Sequence, residues 1–190
     1  MYDAVSDSYC YPGTTVLKNR AGLRTQADLD FFEEEATAQR FAEPLPSGEL
    51  DIRHLCDIHR HLFQDVYTWA GTFRTVRISK GGSAFCYPEH IDRELGRLFA
   101  DLARQKKLSD LDAAAFVNKA AHFLAELNAI HPFREGNGRT QLSFMTALAE
   151  QAGHPLALKR IDPKAMLDAT ITSFGGDEEP LEALISKLVR

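Results

Sequence analysis

The chain has 190 residues, 44% of them hydrophobic and 26% charged, with 22 lysines and arginines against 27 acidic residues and a formal net charge of −5. Such a composition excludes a chain dominated by disorder, and its acidic balance argues against a general binder of nucleic acid or anionic membrane. No apolar run approaches the roughly 20 residues a membrane span needs, and the polar, acidic start does not resemble a secretory signal. Cys10, Cys56 and Cys86 are odd in number and lack metal-type spacing, so reduced thiols in the cytoplasm are expected, with delivery as a translocated effector the alternative.

In chain order, residues 9–22 contain Pro12-Gly13 and a mixed apolar and basic run, which reads as an ordered arm. Thr25 followed by Asp28 resembles an N-terminal cap and predicts a helix to about Ala42, stopped by Pro44-Leu45-Pro46-Ser47-Gly48. From Asp51 onward Ile52, Leu55, Ile58, Leu62 and Val66 recur at helical intervals and mark one buried face. The period then changes: Phe73, Val76 and Ile78, with the turn Gly81-Gly82, predict a short hairpin whose arms are 73–79 and 84–87. Pro88 suits a first helical position, and Ile91, Leu95, Leu98, Phe99 and Leu102 outline the next helix. Ser109 with Asp112 reads as another cap, before a helix carrying Phe116, Val117, Ala120, Ala121, Leu124 and Leu127 and ending near Ile130. A further helix is expected from about Asn137 to Gln151, with Gly153 just past its end; Asp162-Pro163 opens another, and a last one begins at about Glu178. The expected fold class is all-α, mainly helical, with one short β-hairpin.

The loop between the helices ending near Ile130 and starting near Asn137 carries the chemistry. Gly136 and Gly138 bracket Asn137 where a helix begins, so the backbone can approach a ligand closely and the free amides of the first turn favour an anion. Arg139 adds a planar cation suited to phosphate oxygens, and Glu135 is a hard oxygen ligand of the kind that holds Mg2+ beside a nucleotide. His131 can take a proton near neutral pH. Taken singly, Glu135 and Arg139 read as a surface ion pair and the glycines as helix punctuation. Together within nine residues, base, metal ligand, anion cradle and cation describe a site for phosphoryl chemistry. His54, His59 and His61 share one helix, but His59 and His61 point to different faces, which disfavours a metal cluster. Trp69 and Phe73 read as core or hinge residues.

The segment from His131 to Arg139 resembles the signature of the Fic family, H-x-F-x-[D/E]-G-N-G-R-x-x-R. Seven of its eight fixed positions match, namely His131, Phe133, Glu135, Gly136, Asn137, Gly138 and Arg139; the eighth holds Leu142 in place of a second arginine. Tyr11-Pro12-Gly13-Thr14 and Leu17-Lys18-Asn19-Arg20 are similar to the arm of short bacterial Fic toxins. The stretch from His59 to Gly71 resembles the family's helix leading into its flap, and Lys80-Gly81-Gly82-Ser83-Ala84-Phe85-Cys86 the flap itself. The resemblance implies one Fic domain over 1–190, with the arm at about 9–24, the flap hairpin at about 73–88 and the active loop and helix start at 131–142.

It implies further a protein adenylyltransferase, in which His131 deprotonates a hydroxyl of a target protein and that oxygen attacks the α-phosphorus of ATP. Glu135 would hold Mg2+, and Gly136, Asn137, Gly138 and Arg139 would bind the phosphates. Lys18, Asn19, Lys80, Gly81 and Gly82 would line the nucleotide pocket. Arg77, Ile78 and Ser79 would dock the target by adding its strand to the flap edge. Phe133 would anchor the loop. Short Fic toxins suggest type II topoisomerase subunits as targets. Family members are restrained by a helix bearing [S/T]-x-x-x-E-[G/N]; only Glu135 here precedes Gly or Asn, so a separate small antitoxin is expected. In the family the missing arginine serves the terminal phosphates, so Leu142 implies a weakened or altered triphosphate site. It leaves open a degenerate module that binds nucleotide or partner, or a transferase using another donor. Gly138, where phosphate-transferring relatives carry lysine, favours nucleotide transfer.

Overall fold

A computed structural model describes residues 7–190. Helix α1 (Gln26–Phe41) starts at the expected cap, where the Thr25 hydroxyl oxygen accepts the Asp28 N–H. Helix α2 (Ile52–Phe63) is capped by Asp51, whose carboxylate accepts the His54 N–H at 2.8 Å, and it buries Leu55, Ile58, His59, Leu62 and Phe63. Helix α3 (Ile91–Arg104) buries Ile91, Leu95, Phe99 and Leu102. Helix α4 (Ala113–Ile130) is capped by Asp112, which accepts the Ala115 N–H at 2.8 Å; Ser109, the other half of the expected cap, lies outside in extended backbone. Helices α5 (Asn137–Gln151), α6 (Pro163–Phe174) and α7 (Glu179–Leu188) complete the set, with Gly153 at φ 83° two residues past the end of α5.

Past its first turn helix α4 exposes only a polar stripe of Asn118, Lys119, His122 and Glu126 and is apolar over most of the rest of its circumference, so it packs at the centre of the molecule. Its buried Phe116, Val117, Ala120, Ala121, Phe123, Leu124 and Leu127 meet α3, α5, α6 and α7. Each large side chain so buried contributes on the order of 1.5–3 kcal/mol. Helix α2 packs on α5 and α1, which places α2, the end of α4 and the start of α5 around one point. That point is the loop 131–136.

The hairpin is shorter than the sequence pattern suggests. Strand β1 (Ser79–Lys80) pairs antiparallel with β2 (Ser83–Ala84) through a two-residue turn in which Gly81 and Gly82 have φ of 57° and 84°, a left-handed pair that glycine adopts without strain. The expected arms 73–79 and 84–87 leave the ladder because their backbones are used elsewhere. The Arg74 N–H donates to Pro132 O at 2.9 Å and the Cys86 N–H to Ala129 O at 3.2 Å, so the roots of the hairpin are tied to the end of α4 instead of to each other.

Candidate active site

His131 ends α4 in left-handed conformation, φ 51° and ψ 62°, with its N–H on Leu127 O at 3.0 Å; Pro132 follows and cannot continue the helix. The turn swings the imidazole back so that Nδ1 lies 3.0 Å from the Asn128 carbonyl. A carbonyl only accepts, so the proton of the neutral ring resides on Nδ1 and the basic lone pair on Nε2. The Phe85 ring from the flap stacks on the imidazole, centroids 3.9 Å apart at 18°. Burial, aided by the positive charges of Arg74 and Lys80, depresses the His131 pKa to about 3, well below the near-neutral value expected from the residue type alone, so the ring is neutral at physiological pH.

The loop is closed from within by Asn137, the first residue of α5. Its side-chain oxygen accepts the Phe133 N–H at 2.9 Å and its amide donates to Phe133 O at 2.8 Å, imitating a backbone pair. Gly136 precedes it at φ 80°, and a Cβ there would stand 2.3 Å from the Phe63 ring, so both conformation and space demand glycine. Gly138 differs: a Cβ on it would meet nothing within 4 Å. The N–H groups of Asn137, Gly138 and Arg139 form the first turn of α5, which has no intrahelical carbonyls to serve them, and Gly138 leaves open space beside them.

His59 from α2 supports the loop from below. It is fully buried and stacks on Phe133 with centroids 3.8 Å apart. Its Nδ1 accepts the Gly71 N–H at 2.8 Å, which puts its own proton on Nε2, 3.0 Å from the Glu135 carbonyl. Burial lowers its pKa to about 3. His54 and His61 likewise face carbonyl oxygens, of Pro46 at 2.7 Å and Arg40 at 3.0 Å. Among the described residues no group of three or more His, Cys, Asp or Glu side chains is arranged to hold a metal ion.

The Glu135 carboxylate is half-buried; Oε1 accepts the Gly136 N–H at 2.9 Å. Desolvation first, and then the negative charge of Glu33, raise its pKa above the usual carboxylate range. A carboxylate in that position is relieved by a cation. Arg139 supplies part of the relief at 3.9 Å, and a hard divalent ion fits the same chemistry with one protein oxygen and the remaining ligands from phosphate and water. The Arg139 guanidinium is itself oriented from α1 and α2: it pairs with Glu33, donates to Thr37 Oγ1 at 3.3 Å and lies 4.6 Å above the Phe63 ring. The Tyr67 hydroxyl donates to the second oxygen of Glu33. A groove of about 430 Å³ opens here between α1 and Arg139, but Asp30, Glu33 and Glu34 line it and make it a poor seat for phosphate.

Of the residues expected at the site, the loop set from His131 to Arg139 is brought together. The Asn137 side chain faces into the loop, so any ligand contact from it falls to its backbone N–H. Lys80, Gly81 and Gly82 form the exposed tip of the flap, and Lys80 lies close enough to lower the His131 pKa. Arg77 is exposed over the Tyr87 ring, Ser79 is paired with Ala84, and Ile78 is buried with its carbonyl taking the Phe85 N–H. Lys18 and Asn19 make their hydrogen bonds inside the arm: Lys18 to Ser8 O, and Asn19 to the backbone of Leu17 and Leu23. Leu142, one turn past Arg139, is half-buried. The sequence reading missed Glu33, Tyr67, Arg74 and the Asp7–Arg134 pair, and left His59 without a role. Only His59 and Arg74 had a signal, being polar residues beside a buried helical face and a predicted hairpin.

A helix N-terminus with open space beside it and a neutral histidine nearby, on a mainly helical frame with one small flap, is the kind of site that suits a phosphate-bearing ligand. The chain belongs to the Fic/DOC family, whose profile matches residues 49–149. It is 52% identical over 189 residues to a probable protein adenylyltransferase of Sinorhizobium fredii, covering 99% of this chain and 98% of that one. It is 38% identical over 187 residues to the probable protein adenylyltransferase Fic of Escherichia coli, covering 96% and 92%. Among solved structures it superposes on the BepC effector of Bartonella tribocorum with bound AMPPNP at a TM-score of 0.87, with 28% identity and 96% of each chain covered.

Proposed function

We propose that the chain is a protein adenylyltransferase that moves AMP from ATP to a hydroxyl side chain of a target protein. The observation that carries this reading is the tautomer of His131: with the proton held on Nδ1 by the Asn128 carbonyl, Nε2 is the base, six residues before the first residue of α5, whose N-terminus has open space at Gly138. Nε2 takes the hydroxyl proton; the hydroxyl oxygen bonds to the α-phosphorus; the bond from that phosphorus to the bridging oxygen breaks, and pyrophosphate leaves. The first-turn amides of Asn137, Gly138 and Arg139, with the Arg139 side chain, bind phosphate oxygens. Glu135 holds Mg2+, which supplies charge neutralisation on the phosphates when bound. Lys80, Gly81 and Gly82 close over the nucleotide from the flap. Lys18 and Asn19 frame the pocket through the arm. Arg77, Ile78 and Ser79 register the target as an added strand.

In the same reading, residues 1–190 form one Fic domain and act in the cytoplasm as the toxin of a pair, restrained by a small separate antitoxin. Type II topoisomerase subunits are the target class to test first. Among the described residues no helix is long and apolar enough to cross a membrane. Leu142 favours a second reading, a module that binds nucleotide without turnover. Incubation with α-labelled ATP and a bacterial lysate separates the two. The adenylyltransferase labels a protein, and His131→Ala lowers the rate at least about 100-fold while AMPPNP affinity stays within about twofold, because a general base acts in the transition state. No protein labelling alongside intact AMPPNP binding would favour the binding module.

A further inference from the structure

Arg74 is 2% exposed, and among the described residues its guanidinium makes four hydrogen bonds to backbone carbonyls. Nε donates to His131 O at 2.8 Å, Nη2 to Ile130 O at 3.2 Å and to Cys86 O at 2.6 Å, and Nη1 to Val76 O at 2.8 Å. These acceptors come from two places. Ile130 is the last residue of α4 and His131 its C-terminal cap, where carbonyls have no intrahelical donor and the helix dipole presents its negative end. Val76 and Cys86 are the two roots of the flap. The Arg74 backbone adds a third tie, its N–H to Pro132 O at 2.9 Å. One buried cation thus bolts the turn carrying the base to both legs of the flap.

The chemistry of the side chain is specific to this task. A guanidinium has five donors in a rigid plane and cannot lose its proton, whereas a lysine ammonium is a point charge with three donors. A buried charge costs several kcal/mol unless its donors are met, and four carbonyls of two segments meet them here. The Phe85 ring that stacks on His131 belongs to the same flap, next to Cys86. We infer that Arg74 is a positioning residue for adenylyl transfer: it holds the His131 turn and the flap in one register, so that the base and the edge presenting the acceptor hydroxyl keep a fixed relation. The inference rests on the adenylyltransferase reading given above.

The test compares wild type with Arg74→Lys, which keeps the charge, and Arg74→Met, which keeps the stem alone. Protein-bound label from α-labelled ATP in a bacterial lysate gives the rate, calorimetry with AMPPNP the nucleotide affinity, and the histidine side-chain 15N spectrum the tautomer of His131. Both variants are expected to fall at least about tenfold in rate at saturating ATP, the scale of one lost hydrogen bond to a charged group, with the AMPPNP Kd within about twofold. The His131 signal should change from a pure Nδ1–H form to a tautomer mixture, which a residue that merely supports the fold would not cause while circular dichroism stays native. If Arg74→Met does not fold, Arg74→Lys decides alone. Wild-type rate in Arg74→Lys, an unchanged tautomer, or rate and nucleotide affinity lost in equal measure would each overturn the inference. A wild-type chain that binds AMPPNP and labels nothing removes the adenylyltransferase reading itself, and the inference with it.

Discussion

His131 and His59 are equally neutral and equally depressed in pKa, yet their protons sit on opposite nitrogens. His131 keeps its proton on Nδ1, facing Asn128 O, and offers Nε2; His59 keeps its proton on Nε2, facing Glu135 O, and uses Nδ1 to accept from Gly71. The partner of each ring, and nothing in the residue type, sets the difference. Both titrate near 6.5 in an unfolded chain and near 3 in the fold, so between those values the unfolded state binds more protons. Stability is therefore full above about pH 6.5 and is lost as pH falls towards 3, with a limiting slope of about 1.4 kcal/mol per pH unit for each ring. Glu135 works in the opposite sense, since its raised pKa lets the fold hold a proton that the unfolded chain has released. Urea unfolding at pH 7, 6, 5 and 4 should show stability falling, and His59→Phe, which keeps the stack on Phe133 and removes one titration, should flatten the fall. An unchanged slope in that variant would refute the assignment.

At the scale of elements, the junction of α4 and α5 is made by three short-range devices: a left-handed histidine, an asparagine that imitates backbone, and a glycine that clears Phe63. They aim the first turn of α5 outward. Arg139 and Leu142 are three apart on that helix and lie on neighbouring positions of its surface. Glu33, Thr37 and Phe63 already engage Arg139, while Leu142 brings no donor and no charge. Leu142→Arg is expected to tighten AMPPNP about tenfold, from one hydrogen bond between a charged side chain and a terminal phosphate. Titration calorimetry of both chains with AMPPNP and with AMP checks it. The gain should appear only for the triphosphate analogue, and equal affinities would mean that position 142 does not face a terminal phosphate.

Across the whole molecule, the active loop is held by segments far away in the chain. Arg134, buried in the loop, donates to the Asp7 carboxylate at 2.8 and 2.5 Å, across 127 residues, with side-chain exposures of 4% and 11%. Burial works to raise the Asp7 pKa, but the Arg134 hydrogen bond and charge outweigh it and hold the carboxyl below its ordinary value. The Tyr9 ring meets the Trp69 ring edge-on at 5.4 Å, and the Arg20 N–H donates to Val66 O, so the arm packs on the segment between α2 and the flap. Asp7→Ala removes the charge-assisted hydrogen bonds between this carboxylate and Arg134 and is expected to cost about 1.5–3 kcal/mol. Guanidinium unfolding measures that cost, and a change under about 1 kcal/mol would leave the pair as an exposed one in effect.

Helix positions, the cap at Thr25 and the nine-residue loop were legible along the chain because they depend on local spacing: apolar residues every three or four positions, a side-chain acceptor at a helix start, glycines at a turn. The cap expected at Ser109 falls instead on Asp112, three residues further on, which itself accepts the first-turn N–H. The hairpin was only half legible. Its turn is local chemistry, but its length is set by Arg74 and Cys86 pairing with the end of α4. Glu33 and Asp7 carry no local signature and Arg74 only its place beside the predicted hairpin, since each draws its role from a partner 106, 127 or 57 residues away. Which proton each buried histidine keeps, and which charges stand beside the loop, were decided only when seven helices brought those partners within hydrogen-bonding distance among the described residues.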